Sequence, residues 1–319
     1  MCHRQPVDPA MSGVDPQRVV TASHSHVGRV RSANQDRFAE FEDGRGSRLL
    51  VVADGMGGHR GGETASRLAV ETIGEVFARS EEPLGVRMSA AIETANERLH
   101  GCANADPDLA GMGTTVVALC LGKGGEAWVA HVGDSRLYLL RDGRLDALTA
   151  DHSFVGEMHR QGFLSAEQAR AHPRRNELTR SVGVEAEVEV EVNGIAVKPG
   201  DRFLLCSDGL CGYLEDDEIR EVLASESPHS AARILVDRAN AKGGYDNVTV
   251  QVAVIPEDAP LGDDGAGENR ASLPSTERHA VDHLRQLRAE RRIPRFGLAA
   301  AALVAVLLAA AALWVLLRG

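Results

Sequence analysis

Four short apolar runs set the frame for this chain. They read SRLLVVAD at 47–54, GTTVVALCLG at 113–122, EAWVAHVGD at 126–134 and RFLLCSD at 202–208. None exceeds ten residues, and all but the last carry β-branched residues, so each fits a central strand. The segment 135–149 reads as a hairpin with Arg141, Asp142 and Gly143 at its turn. VEVEVNGIAV at 188–197 alternates as a half-exposed strand does, and NVTVQVAV at 247–254 adds another. Two segments have helical period instead. Ala65, Leu68, Ala69, Ile73, Val76 and Phe77 make one apolar stripe; Met88, Ile92, Ala95, Leu99 and Cys102 make the second. Two more helices are expected at 216–224 and 229–241. Strands that come in hairpins give mostly antiparallel sheets, and two sheets with helices packed outside would bury both stripes. The expected class is therefore α+β: a central antiparallel β-sandwich flanked by helices on both sides.

This organisation covers residues 18–255. Residues 1–17 hold no apolar run of the kind a secretory signal needs and read as a disordered N-terminus. Residues 256–292 read as a linker rich in Pro, Gly, Asp and Ser, followed by a basic juxtamembrane segment suited to anionic lipid. The 22 residues 296–317, FGLAAAALVAVLLAAAALWVLL, contain no charged or polar side chain. At about 1.5 Å per residue they would reach about 33 Å, enough to cross a hydrocarbon core of about 30 Å. A transmembrane helix is expected there. Arg285, Arg288, Arg291, Arg292 and Arg295 precede it, which puts the bulk of the chain on the cytoplasmic side of a cell membrane as a single-pass, tail-anchored protein. The five cysteines are scattered without a CxxC pair, which favours a reducing compartment. A net charge of −11 argues against nucleic acid as the partner.

The chemistry lies at the strand ends. Asp54, Asp134 and Asp208 each close an apolar run, and Asp246 opens one. Any one of them alone would read as turn chemistry. Four together are different. Carboxylates at sheet ends are partly desolvated and, brought together, repel one another. Cations remove both costs, and oxygen donors without histidine or cysteine suit hard ions, Mg²⁺ or Mn²⁺. The glycines after Asp54, in DGMGGH, let backbone and a bulky anion approach. Arg31 lies five residues before Asp36 in GRVRSANQDRF, and a guanidinium fork suits phosphate oxygens. Two hard cations with an arginine make a site for phosphate-ester hydrolysis.

The set GRVRSANQDRF, VVADGMGGHRGGETAS, GMGTT, HVGDSRLYLLRDG, LTADHS, HPRRNELTRSVG, LLCSDGL and GGYDNVTV resembles the bacterial PPM-type (PP2C-like) serine/threonine protein phosphatases, over roughly 18–255. The resemblance implies that Asp54 bridges two metal ions and that Gly55 offers its backbone carbonyl to one. Asp208 and Asp246 match the remaining carboxylate ligands, Asp36 an acid holding metal-bound water, and Asp134 a ligand of a third, weaker ion. Arg31 matches the phosphate-binding arginine, and Asn247 is expected to orient Asp246. The catalytic set would be Arg31, Asp54, Asp208 and Asp246, with two or three Mn²⁺ or Mg²⁺ ions. Residues 151–183 correspond to the variable flap that shapes substrate access.

Two positions depart from the pattern. Gln35 stands where an acid is common, which implies weaker metal affinity. Met56 stands where eukaryotic members carry a histidine, so the general acid is left to water, with His59 a weaker candidate. His131 reads as structural. The implied activity is hydrolysis of phosphoserine and phosphothreonine in proteins by a hydroxide bridging two divalent ions, opposing membrane Ser/Thr kinases. The alternative is a pseudophosphatase that binds phosphoproteins without cleaving them.

Overall fold

The structure, a computed structural model, describes residues 18–258 apart from Gly124. The expected N-terminal tail, linker, juxtamembrane segment and membrane span at 296–317 lie outside the described residues. Among the described residues, no helix is long and apolar enough to cross a membrane.

Among the described residues, eleven strands form two antiparallel sheets. The first holds β1 (Val20–His26), β11 (Val248–Val254), β10 (Arg202–Cys206), β7 (Arg136–Arg141) and β8 (Arg144–Ala147), in that spatial order. The second holds β2 (Asp36–Glu42), β3 (Arg48–Met56), β5 (Val116–Leu121), β6 (Glu126–Val132) and β9 (Glu191–Ala196), with the short β4 (Gly113–Thr114) beside the end of β3. The β7–β8 hairpin turns through Asp142 and Gly143 at φ 52° and 77°, the paired positive values of a two-residue hairpin turn.

Three apolar layers hold the fold together. Leu50, Val52, Val117, Leu119, Phe203 and Leu205 fill the space between the sheets. Their neighbours in sequence, Leu49, Val51, Ala53, Val116, Ala118 and Cys120, face outward beneath α1 (Gly58–Arg79) and α2 (Leu84–Ala105). On the other sheet, Leu204, Cys206, Val250 and Val252 pack with the later helices, among them α6 (Asp216–Ser225) and α7 (Pro228–Ala241). Both faces of the central strands are covered, so these strands read as continuous apolar runs rather than alternating ones. The architecture is the expected helix–sheet–sheet–helix sandwich.

Several elements differ from expectation. β1 and β2 are edge strands, half exposed, with polar and charged side chains where an apolar run would mark a central strand. α1 begins at Gly58, inside the glycine-rich segment, well before the apolar stripe starts at Ala65. Asp208 does not end a strand; it opens a four-residue helix, α5 (Asp208–Cys211). The segment 151–183 carries two short helices, α3 (Phe154–Arg160) and α4 (Ala166–Ala171).

Candidate metal centre and phosphate site

The site forms where one end of both sheets meets their loops. Antiparallel register sets Asp36, the first residue of β2, opposite Asp54 near the end of β3. The pairing continues one residue further, with the Gly55 N–H donating to the Gln35 carbonyl at 3.2 Å. α5 brings in Asp208, and the turn before β11 brings in Asp246. Asp134 follows Gly133, whose φ of 106° turns the chain between β6 and β7.

A cleft of about 300 Å³ is lined by Arg31, Gln35, Asp54, Gly55, Met56, Asp134, Asp208, Asp246 and Asn247, together with Asn176 and Leu178 of the flap. Asp36 lies behind this lining and is buried. The expected metal ligands, Arg31, Gln35 and Asn247 therefore line this cleft or, for Asp36, lie buried beside it.

The electrostatics are those of a crowded, buried acidic cluster. Burial, and then its carboxylate neighbours Asp208 and Asp246, push Asp36 up to about 7, against the bonds from Thr249 and Ser207. Asp54 is held well above the usual carboxylate range by burial and by Asp36, Asp208, Asp134 and Asp246. Asp134 is raised by burial and by Asp208, and Asp208 by burial and by Asp246. The Oδ1 atoms of Asp36 and Asp208 are buried and accept no hydrogen bond. Buried carboxylate oxygens without donors are costly. An all-oxygen set of this kind fits hard divalent cations.

Other side chains brace the acids. The Asp54 N–H donates to Thr115 Oγ1 at 3.1 Å, and that oxygen lies 2.7 Å from Ser135 Oγ. Thr114 Oγ1 donates to the Asp54 carbonyl at 2.8 Å. Ser207 Oγ donates to Asp36 Oδ2 at 2.8 Å while accepting the Thr249 N–H at 3.0 Å. Sequence reasoning passed over Thr115 and Ser207. The GMGTT motif pointed to the first; for the second nothing local did, because its partner is 171 residues away.

Three of the expected residues make contacts that the sequence did not show. Arg31 donates to Asp246 Oδ2 at 2.8 Å, with its side chain 52% exposed at the cleft mouth. The Gln35 amide donates to the Gly58 carbonyl at 2.6 Å, latching the start of α1 to β2. The Asn247 side chain staples the 27–35 loop: it accepts the Gln35 N–H and donates to the carbonyls of Val27 and Ala33. Its backbone N–H is what meets Asp246 Oδ1.

A second titratable cluster, His131, His152 and Glu191, supports the base of the flap. The two rings stack with centroids 4.5 Å apart. The Gly133 N–H donates to His152 Nδ1 at 3.2 Å, which leaves the ring proton on Nε2. Burial lowers both imidazoles, His152 to about 4, so they are neutral at pH 7. Arg136 clamps Asp151 through two bonds of 2.8 and 2.7 Å beside them.

Comparison with known proteins agrees with this geometry. The family model described as protein phosphatase 2C matches residues 22–246. The chain is 39% identical over 229 residues to the serine/threonine phosphatase stp of Listeria welshimeri, covering 70% of this chain and 90% of that one. It superposes on the S. agalactiae serine/threonine phosphatase with a TM-score of 0.70 at 35% identity, over 74% of this chain and 99% of the other. The catalytic domain of the serine/threonine protein phosphatase PstP, solved in complex with two manganese ions, matches at a TM-score of 0.67 and 36% identity, over 75% and 98% of the two chains.

Proposed function

This chain belongs to the protein phosphatase 2C family and is a metal-dependent protein serine/threonine phosphatase; we propose that it uses water to hydrolyse phosphoserine and phosphothreonine esters at the Asp54–Asp208–Asp246 cleft, tethered to the cytoplasmic face of a membrane and opposing Ser/Thr kinases. The observation that carries the catalytic reading is the convergence of five carboxylates on one cleft, two of them with a buried oxygen that accepts no hydrogen bond.

Asp36, Asp54, Asp134, Asp208, Asp246 and the Gly55 carbonyl are the groups that would hold Mn²⁺ or Mg²⁺. Divalent ions bound there would neutralise charge on the phosphoryl oxygens and activate water near neutral pH. The chain itself does the rest. Arg31, exposed at the mouth, is placed to leave Asp246 and take two phosphoryl oxygens through its planar fork. The small residues Gly55, Gly57 and Gly58 keep one wall of the cleft open to a phosphorylated side chain. Thr115 and Ser207 hold the carboxylates at their angles. Met56 lines the cleft without a proton to give. The proton for the departing serine or threonine oxygen comes from water, since the titratable side chains described in the lining are carboxylates and Arg31. The His59 side chain lies outside the described atoms.

The membrane tether is supported by the uncharged 22-residue stretch 296–317 and the arginines before it. The test uses the full chain and a version ending at Pro256. Both should release phosphate from phosphothreonine peptides with Mn²⁺ or Mg²⁺ and lose this with chelator. Only the full chain should sediment with membranes. Peptide binding without release would leave the binding-module reading standing.

A further inference from the structure

A ledge runs from the Asp246 side of the cleft. Its base is the turn before β11. Arg29 donates its backbone N–H to the Gly244 carbonyl at 2.7 Å. Its side-chain stem lies over that glycine, where an added Cβ would sit 3.0 Å from Arg29 Cγ. The next residue, Tyr245, is 59% exposed, and its ring stacks on Tyr213 with centroids 6.1 Å apart. Tyr213 reaches toward the acids: burial, then Asp208 and Asp246, push its phenol up, and Arg175 acts on it in the opposite direction. Val30, 63% exposed, follows Arg29 and precedes Arg31 of the cleft. At the far end Arg175 adjoins Asn176, which lines the cleft.

Catalysis at the cleft does not account for this surface. Most arginines of the domain are held by carboxylates, as Arg37 is by Glu63, Arg136 by Asp151, Arg141 by Asp201 and Arg174 by Glu177. Among the described residues, the side chains of Arg29 and Arg175 have no hydrogen-bond or ion-pair partner. Both are exposed. In a chain of net charge −11, two unpaired guanidinium groups flanking an aromatic pair, Tyr245 exposed and Tyr213 half-buried, at the site mouth are complementary to an anionic polypeptide. The phosphate is common to every substrate, so discrimination has to come from what surrounds it.

We propose that this ledge binds the polypeptide next to the phosphorylated residue and selects acidic side chains there, with Arg29 and Arg175 pairing carboxylates and the Tyr213–Tyr245 stack carrying the chain between them. The proposal rests on the phosphatase reading above. Exposed charge pairs act weakly one at a time, so each contact should change kcat/KM by roughly threefold, and both together by about tenfold.

The test uses two phosphothreonine peptides that differ only by Glu→Gln at the flanking positions. Each kcat/KM is divided by that for an aryl phosphate on the same full-chain preparation with Mn²⁺, so damage to the cleft cancels. The wild type should prefer the acidic peptide by about tenfold at low salt, and the preference should shrink as salt rises. Arg29→Glu and Arg175→Glu should each cut the ratio, and together bring it to one or below. Tyr245→Ala should lower the normalised rate on both peptides, with Tyr245→Phe restoring it. Equal rates on the two peptides, or a ratio that survives charge reversal, overturn the ledge and leave the phosphatase reading intact. No hydrolysis of any of the three compounds overturns both.

Discussion

Asp36 and Asp54 are direct cross-strand partners in the β2–β3 ladder. Like charges placed opposite each other in a sheet are destabilising, and here burial adds to the cost, raising Asp36 to about 7 and holding Asp54 well above the usual carboxylate range. Because these folded-state pKa values lie above the unfolded ones, the fold gains from the neutral acids below about pH 4. That gain is lost as pH rises through about 7, the value for Asp36. Protein kept free of divalent ions by chelator should therefore melt lower at pH 8 than at pH 5, by about 5 °C or more. Excess Mn²⁺ at pH 8 should recover the difference, as any ligand of the native state does. Thermal melts across that range, with and without chelator, check it. A flat profile without metal would show that the acids carry no strain.

Asp208→Asn separates stability from activity. Asp208 is raised by burial and by Asp246, and its Oδ1 accepts no hydrogen bond. The amide keeps the shape and removes one buried negative charge. Metal-free protein at pH 8 should melt at the same temperature or higher. Phosphate release from a phosphopeptide should fall by at least about 100-fold, since groups that merely support metal ligands already cost about 10–100-fold. A variant that is both destabilised and active would contradict the assignment.

What could be read beforehand follows the physics of burial. The central strands announced themselves because helices cover one face and the second sheet covers the other, leaving no polar alternation in Leu49–Ala53 or Val116–Leu121. β1 and β2 did not, because edge strands carry residues such as Ser23, His24, Glu40 and Glu42 that face solvent or one another. The acids were visible as residues at the ends of apolar runs. Their convergence came only from the family resemblance, because register and helix docking bring together positions as distant as Asp36 and Ser207. The Gln35 contact was also hidden: its amide meets a carbonyl of α1, and α1 begins within a glycine-rich stretch that lacks helical periodicity.

Gly55 has no room for a side chain. A Cβ there would lie 2.0 Å from the Gly62 carbonyl oxygen and 2.8 Å from that of Gln35. Both are backbone atoms, fixed by α1 and β2, so neither can swing aside. Gly55→Ala should lower stability by about 1–3 kcal/mol and displace the adjacent Asp54. Denaturant melts should show the loss, and phosphatase activity should drop along with it. Normal activity at wild-type stability would mean that β3 and α1 separate more easily than this contact allows.

Thr115 is the brace whose removal should act on metal affinity before anything else. Its Oγ1 accepts the Asp54 N–H and shares a hydrogen bond with Ser135, next to Asp134. Its methyl group fills the space under Gly133, where a Cβ would come within 2.6 Å of Thr115 Cγ2. Thr115→Val keeps the methyl and the volume but removes the oxygen, leaving the Asp54 N–H without that partner at a cost of about 1–3 kcal/mol. Asp54 and Asp134 then lose a shared constraint, and the Mn²⁺ concentration giving half-maximal activity should rise by about tenfold. Thr115→Ser keeps the oxygen and should hold the metal requirement near wild type while losing the packing under Gly133. If the two variants shift the Mn²⁺ requirement equally, the hydroxyl is not the brace and the methyl contact is what matters.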